Sequence, residues 1–364
     1  MPMNNNFCII MAGGVGSRFW PLSRHHRPKQ FLDILGTGRT FLQQTFDRFS
    51  KLIPVENFIV VTSTKYKEIV LEQLPELKQN QILFEPLRRN TAPCLTYAVY
   101  KIKSKTPEAN LIVAPSDHLI LKEEEFIQQI KNALNFANAN DALITLGIKP
   151  NRPETAYGYI QVKKKSEFDV LDNLYKVKTF TEKPNAQMAQ IFIDSGEFYW
   201  NSGIFIWSLE SIIKALDEHL PNVASLFKKG EKLYNTNDEN PFIKKIYSEC
   251  QTISIDYGIM EKAKNVYVLT ADFGWSDMGS WTTLYENRPK DDNGNAITGD
   301  NILTYNTSNC IVNINSEKIA VLHGLDGYII AESDDVFMIC KREDEDLIKK
   351  FVTDVRMKKG DSLV

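Results

Sequence analysis

Short apolar runs alternate with longer segments of helical spacing through the first part of the chain. Phe7–Met11, Phe58–Thr62, Gln81–Phe84, Asn110–Ala114 and Ala142–Gly147 are compact and mostly apolar, the pattern of strands covered on both faces. Between them, Thr40–Phe49, Lys67–Leu77, Ala92–Ser104 and Glu123–Asn138 repeat apolar residues at helical intervals, which predicts amphipathic helices. A strand–helix–strand rhythm of this kind predicts an α/β fold on a parallel sheet. Ligands of such sheets collect beyond the carboxyl ends of the strands. Polar motifs that directly follow a strand are therefore the first candidates for a site.

After Gly147 the pattern changes. Tyr157–Val162 and Tyr175–Phe180 read as partly exposed strands, the second running into Thr181–Pro184, and a helix is predicted over Asn185–Asp194 ahead of Trp200–Trp207. Leu209–Glu249 is helical and rich in charge, which predicts a surface subdomain. Asp256–Glu261 starts a return to the core through a strand at Val266–Leu269 and on to Ala271–Trp281. Pro, Gly and Asp gather in Asn287–Asn295, which predicts a linker between a domain over residues 1–286 and another over 287–364. Beyond it, runs at Asn301–Asn306, Cys310–Asn315, Ile319–Leu322, Gly327–Glu332 and Val336–Lys341 predict a small β-helical or meander appendage, closed by a helix over Asp344–Val355.

Composition narrows the function classes. The 364 residues are 43% hydrophobic and 24% charged, ordinary for a soluble globular protein. A net charge of −3 gives no electrostatic case for nucleic acid or an anionic membrane as partner. Cys8, Cys94, Cys250, Cys310 and Cys340 are odd in number and far apart, without a C-x-x-C pair, and read as reduced thiols. The amino-terminal stretch lacks the features of a signal peptide, and no run of about eighteen apolar residues occurs. A cytoplasmic location is expected.

The stretch Phe7–Phe31 carries the densest chemistry. An apolar strand breaks at Ala12-Gly13-Gly14-Val15-Gly16, and two cations follow, Arg18 and Lys29. Glycines let backbone N–H groups approach an anion, and an Arg adds a planar fork for phosphate oxygens. The spacing fits neither a Walker loop, since no Lys follows Gly16, nor a dinucleotide fingerprint, since Phe19 stands where a third Gly is needed. The bland alternative is an ordinary strand-to-helix turn. Glu85-Pro86-Leu87-Arg88-Arg89-Asn90-Thr91-Ala92-Pro93 follows the third strand. It reads either as a base and ribose pocket, with Glu85 accepting from a guanine N1–H and N2–H₂ edge, or as a charged turn with Thr91 capping a helix. Asp117, after the strand ending at Ala114, suits Mg²⁺, an ion that takes one or two protein carboxylates beside phosphate oxygens; His118 reads as structural. Gly158, Glu182 and Asn201 offer mixed donors and acceptors for sugar hydroxyls, with Lys183 for a sugar phosphate; singly each reads as a solvated surface charge or a turn residue, and only their co-occurrence with a phosphate loop favours the site. Asp277 is either a second metal carboxylate or a helix N-cap.

Taken together, GGVGSRFWPLSR…PKQF, EPLRRNTAP, PSDH, PETAYGYI, FTEKP, WNSGIF and SIDYGIMEK…DFGWSDMGSW resemble the bacterial mannose-1-phosphate guanylyltransferases, a branch of the nucleotide-sugar pyrophosphorylases. The resemblance covers roughly residues 7–285, with mild departures at Phe19, Cys94, Ala156 and Gly258. Ending at Val364, the chain resembles the short, single-activity members, without the fused isomerase domain of the bifunctional ones. The resemblance implies a Rossmann-like nucleotidyltransferase domain with a mixed, mostly parallel sheet and a small β-helix-like appendage. It implies GMP transfer from GTP to mannose 1-phosphate with Mg²⁺, and a homodimer. Carried over by motif, Ala12, Gly13, Gly14, Gly16 and Ser17 line the triphosphate and Glu85, Arg89, Asn90 and Thr91 the nucleoside. Arg18 and Lys29 neutralise phosphate charge, Asp117 and Asp277 hold the metal, and Gly158, Glu182, Lys183 and Asn201 hold the sugar phosphate. The competing readings are the same chemistry on another hexose 1-phosphate and nucleotide, or a non-catalytic nucleotide-sugar-binding regulator.

Overall fold

Nine strands among the described residues form one mixed sheet: β1 (Asn6–Met11), β2 (Phe58–Ser63), β3 (Ile82–Glu85), β4 (Asn110–Pro115), β5 (Leu143–Ile148), β6 (Gly158–Val162), β7 (Leu174–Glu182), β8 (Phe198–Ser208) and β9 (Val266–Ala271). The computed structural model describes residues 5–14, 16–163, 171–314 and 317–364. Val15 of the glycine loop and Asn315 of one predicted strand lie outside them. The spatial order is β3-β2-β1-β4-β8-β5-β9-β7-β6. β1 pairs in parallel with β2 on one side and β4 on the other, with Met11 opposite Pro115. Strand order thus reverses beside β1, the position at which open α/β sheets bind ligands beyond their carboxyl ends. The glycine loop and the segment leading to Asp117 leave from those two ends.

The sheet is less parallel than its rhythm suggests. Trp200–Trp207 lies in β8, which runs antiparallel between β4 and β5. The predicted strands and helices are present, with ends shifted by a few residues. The helices are α1 (Phe41–Ser50), α2 (Lys67–Gln73), α3 (Thr91–Lys103), α4 (Glu123–Ala139), α5 (Ala186–Ser195), α6 (Leu209–His219), α7 (Pro221–Lys228), α8 (Glu239–Glu249), α9 (Trp281–Asn287) and α10 (Ile348–Lys359). α2 stops short of the predicted Leu77 because Leu74 precedes Pro75, and the residue before a proline is pushed out of helical geometry.

The chain divides into two units, the first comprising residues through Gly13, Thr45–Ser116 and Ile120–Trp275. Its core packs Ile9, Val61, Leu111 and Val113 of the sheet against Leu95 and Val99 of α3. Leu209–Glu249 is not the surface subdomain its charge suggests. It forms α6, α7 and α8, whose Ile212, Leu216, Phe227, Ile246 and Tyr247 belong to that same core, the charges occupying the outer faces.

The second unit comprises Gly14–Gln44, Asp117–Leu119 and Ser276–Val364. Its strands β10 (Ala296–Thr298), β12 (Ile311–Asn313) and β14 (Tyr328–Ser333) pair in parallel, as do β11 (Ile302–Tyr305) and β13 (Ala320–His323). The chain passes between two small sheets in turn, the coil of a β-helix, and β15 (Val336–Lys341) closes one edge antiparallel. The final helix starts at Ile348 rather than Asp344, after a 3-10 stretch over Arg342–Leu347. Asn287–Asn295 is an ordered turn: Asp291 Oδ1 accepts from the amides of Asn293 and Asn295, and Arg288 and Asn295 are buried. These strands share one core with the residues following the glycine loop, since Phe19, Trp20, Ile34 and Phe41 pack among Met278, Trp281, Ile311, Ile329 and Ile348. Polar contacts reinforce it. Trp20 Nε1 donates to the Leu363 carbonyl at 2.8 Å, and Arg24 donates to Ser333 O at 2.7 Å and to Asp335 Oδ1 at 2.8 Å.

Candidate active site

Four groups of predicted site residues occur, two in each unit. In the second unit, Gly16 has φ +56°, and a Cβ there would stand 2.6 Å from the Lys29 Cβ. Only glycine meets both conditions. Gln30 Nε2 donates to Gly14 O at 2.8 Å, and Ser23 Oγ to Gly16 O, so the loop's carbonyls are tied down from the chain that follows. A 3-10 turn over Ser17–Phe19 buries Phe19 and leaves Arg18 exposed. Among the described residues the Arg18 guanidinium makes no hydrogen bond or ion pair.

Lys29 is differently placed. It is 6% exposed, its Nζ lies 2.9 Å from Asp117 Oδ2, and it donates to the carbonyls of Asp277 at 3.0 Å and Met278 at 2.8 Å. Burial alone would raise the Asp117 carboxyl. The Lys29 charge, with His118 and hydrogen bonds, outweighs it and holds the group below the usual carboxylate range. Asp277 is not the N-cap of the following helix. That role falls to Ser280, whose side chain accepts from Thr283 N at 3.1 Å. Asp277 Oδ1 instead accepts from Gly279 N at 2.9 Å inside a tight turn with Met278 at φ +46°. One ammonium therefore joins the Asp117 carboxylate to the backbone carbonyls of the Asp277–Met278 turn, sequence-distant though they are.

In the first unit, Ala12 is fixed by its N–H to Val61 O and by Thr62 Oγ1 on its carbonyl, both at 2.8 Å. Glu85 faces the loop: a Cβ on Gly13 would stand 3.6 Å from Glu85 Oε2. Tyr247 OH donates to Glu85 Oε1 at 3.3 Å. Burial pushes the Glu85 carboxyl up to about 7, against the Tyr247 hydrogen bond and the Arg88 charge. Asn90, not Thr91, is the N-cap of α3, with φ +68° and its side chain accepting from Thr91 N at 2.8 Å. Arg89 Nε donates to Tyr247 O at 2.9 Å, and Thr91 Oγ1 accepts from Ile255 N at 2.9 Å. Both side chains lace this segment to residues 247–255.

The remaining group surrounds Asn201. Gly158 pairs with Glu182 across β6 and β7, and a Cβ on Gly158 would stand 2.5 Å from Glu182 Oε2. Lys183 is exposed, 3.2 Å from Glu182 Oε1. Asn201 Oδ1 accepts from Thr145 Oγ1 at 2.9 Å and Gly203 N at 3.2 Å, and its Nδ2 donates to Asp256 Oδ1 at 2.9 Å. Burial, then the neighbouring Glu182 charge, push the Asp256 carboxyl up to about 6. Asp256 and Tyr247 were not singled out by the sequence. Their partners lie 55 and 162 residues away.

Among the described residues no group of three or more His, Cys, Asp or Glu side chains is arranged to hold a metal. Mg²⁺ asks for less, one or two carboxylates and phosphate oxygens, and Asp117, whose carboxyl Lys29 holds below the usual carboxylate range, is a donor of that type.

Residues 7–294 match the nucleotidyl transferase family. A mannose-1-phosphate guanylyltransferase of Escherichia coli is 37% identical over 351 residues, covering 94% of this chain and 74% of that protein. One from Klebsiella pneumoniae is 35% identical, covering 94% and 72%. A solved structure from Thermus thermophilus, described as a mannose-1-phosphate geranyltransferase, is 28% identical with a TM-score of 0.85 over 97% of this chain and 99% of that one. The chain belongs to the mannose-1-phosphate guanylyltransferases of the nucleotidyl transferase family.

Proposed function

We propose that this chain transfers GMP from GTP to mannose 1-phosphate, giving GDP-mannose and pyrophosphate. The observation that carries the reading is Lys29 gathering Asp117 and the Asp277–Met278 turn in the unit that also holds Gly16 and Arg18; the relatives' names supply the substrates. A sugar phosphate oxygen is already ionised at neutral pH, so the in-line attack on the α-phosphate needs no general base. What the protein contributes is position and opposite charge.

In this reading the N–H groups of Gly13, Gly14 and Gly16, with Ala12 and Ser17, receive the triphosphate. Arg18 neutralises charge on the α-phosphate and the departing pyrophosphate, and Lys29 contributes by fixing Asp117 and the Asp277 turn. Asp117 and Asp277 would hold Mg²⁺, which when bound draws negative charge off the phosphates. Glu85 accepts from the guanine edge, Asn90 meets the ribose, and Arg89 and Thr91 keep that segment in place. Gly158, Glu182, Lys183 and Asn201 receive mannose 1-phosphate. Residues 1–286 form the catalytic part, 287–364 the self-associating part of a cytoplasmic homodimer. Supporting a cytoplasmic location, the five cysteines are buried, unpaired thiols, and no described helix is long and apolar enough to cross a membrane. The direct test is Asp117→Ala and Arg18→Ala, each expected to lower kcat about 100-fold; near-normal rates would contradict the assignment.

A further inference from the structure

We propose that Asp256 is a positioning residue that sets the hexose preference by fixing the Asn201 amide, an inference that rests on Asn201 belonging to the sugar phosphate site. The amide oxygen lies 3.2 Å from Gly203 N and 2.9 Å from Thr145 Oγ1, whose one hydroxyl hydrogen it shares with Ile204 O at 3.1 Å. Of the two N–H bonds, one goes to Asp256 Oδ1 at 2.9 Å. An amide has two acceptor and two donor positions, so a single N–H of Asn201 is left for a sugar hydroxyl. Its direction is set by the other three bonds. Thr145 and Gly203 alone hold the oxygen end. Asp256 stops the nitrogen end from turning.

Asp256 is itself well held. It begins a helical turn over Asp256–Met260, and the preceding Ile255 N donates to Thr91 Oγ1 at 2.9 Å. Ile253 N donates to Arg89 O, and Ala92 N to Ile253 O, both at 3.1 Å. The segment after β3, expected to meet the nucleoside, thus also anchors the carboxylate behind Asn201. Keeping Asp256 beside Glu182 is electrostatically costly, and the Asn201 N–H offsets part of that cost. Hexoses that differ at one hydroxyl present their donors and acceptors along different directions. A donor of fixed direction separates them, and one free to turn does not.

The test is Asp256→Ala and Asp256→Asn beside Asn201→Ala, read as KM and kcat for mannose 1-phosphate, glucose 1-phosphate and GTP. Losing one aligned hydrogen bond to a hydroxyl is worth about five- to tenfold. Asp256→Ala should raise KM for mannose 1-phosphate by about that factor, narrow the mannose-to-glucose preference, and leave the GTP KM and kcat within about twofold. Asp256→Asn keeps an oxygen for the Asn201 N–H and should recover most of the wild-type KM. An unchanged mannose 1-phosphate KM in Asp256→Ala, an equal rise in the GTP KM, or no recovery in Asp256→Asn overturns the proposal. If Asn201→Ala raises that KM and Asp256→Ala does not, this inference alone fails. If neither does, the sugar site assignment fails with it.

Discussion

Lys29 Nζ lies 2.9 Å from Asp117 Oδ2, at a position where the lysine is 6% exposed. The two cations of the signature stretch therefore do different work. Lys29→Ala leaves the Asp117 carboxylate without its main counter-charge and frees the carbonyls of Asp277 and Met278. Stability should fall by about 3 kcal/mol along with activity. Arg18 is exposed, so Arg18→Ala should change stability by no more than about 0.5 kcal/mol while lowering kcat. Thermal unfolding and initial rates on both variants separate the roles; equal losses of stability would contradict them.

The Glu85 carboxyl, raised to about 7, gives a pH dependence of definite sign. The folded state favours the protonated form. Its stabilising contribution is complete below the ordinary carboxylate value and is lost as pH rises towards 7. Glu85→Gln should therefore be more stable than the wild type at pH 8, by up to about 3 kcal/mol, and no more stable at pH 4. Guanine recognition runs the other way, because only the ionised carboxylate accepts from both N–H groups. The GTP KM of the wild type should rise as pH falls through 7, and that of Glu85→Gln should stay flat by comparison. Parallel profiles would remove Glu85 from the base pocket.

Gly158 is tested by a methyl group. In Gly158→Ala the new Cβ would stand 2.5 Å from Glu182 Oε2 and 3.3 Å from the Phe180 ring. The end of a side chain can swing aside, so the fold survives at a cost of about 1–2 kcal/mol, but the carboxylate moves. KM for mannose 1-phosphate should rise about tenfold with the GTP KM unchanged. A variant with normal sugar phosphate kinetics would remove Glu182 from that site.

What the sequence made legible was local. Strand ends and glycine turns are written in neighbouring residues, and Gly16, Glu85 and Asp117 stand out as candidates because each follows an apolar run. What it hid was pairing at long range. The Lys29 ammonium is occupied by a turn 248 residues further on, which no local pattern encodes. The sequence pattern predicts no strand at Trp200–Trp207, which lies in β8. Its insertion between β4 and β5 depends on register with partners far along the chain. The charges of α6–α8 suggested exposure, although each helix buries its opposite face. Arg89 and Thr91 were expected at the nucleoside because of their motif, yet their polar atoms lace the chain near Ile255.

The most direct measurement is pyrophosphate release by the purified protein with Mg²⁺, offering mannose 1-phosphate and glucose 1-phosphate against GTP, ATP, UTP and dTTP. The account predicts strong preference for GTP with mannose 1-phosphate, abolished by EDTA. Turnover with a different pair would keep the chemistry and overturn the specificity. No pyrophosphate from any pair would contradict the catalytic reading and leave a nucleotide-sugar-binding regulator in its place.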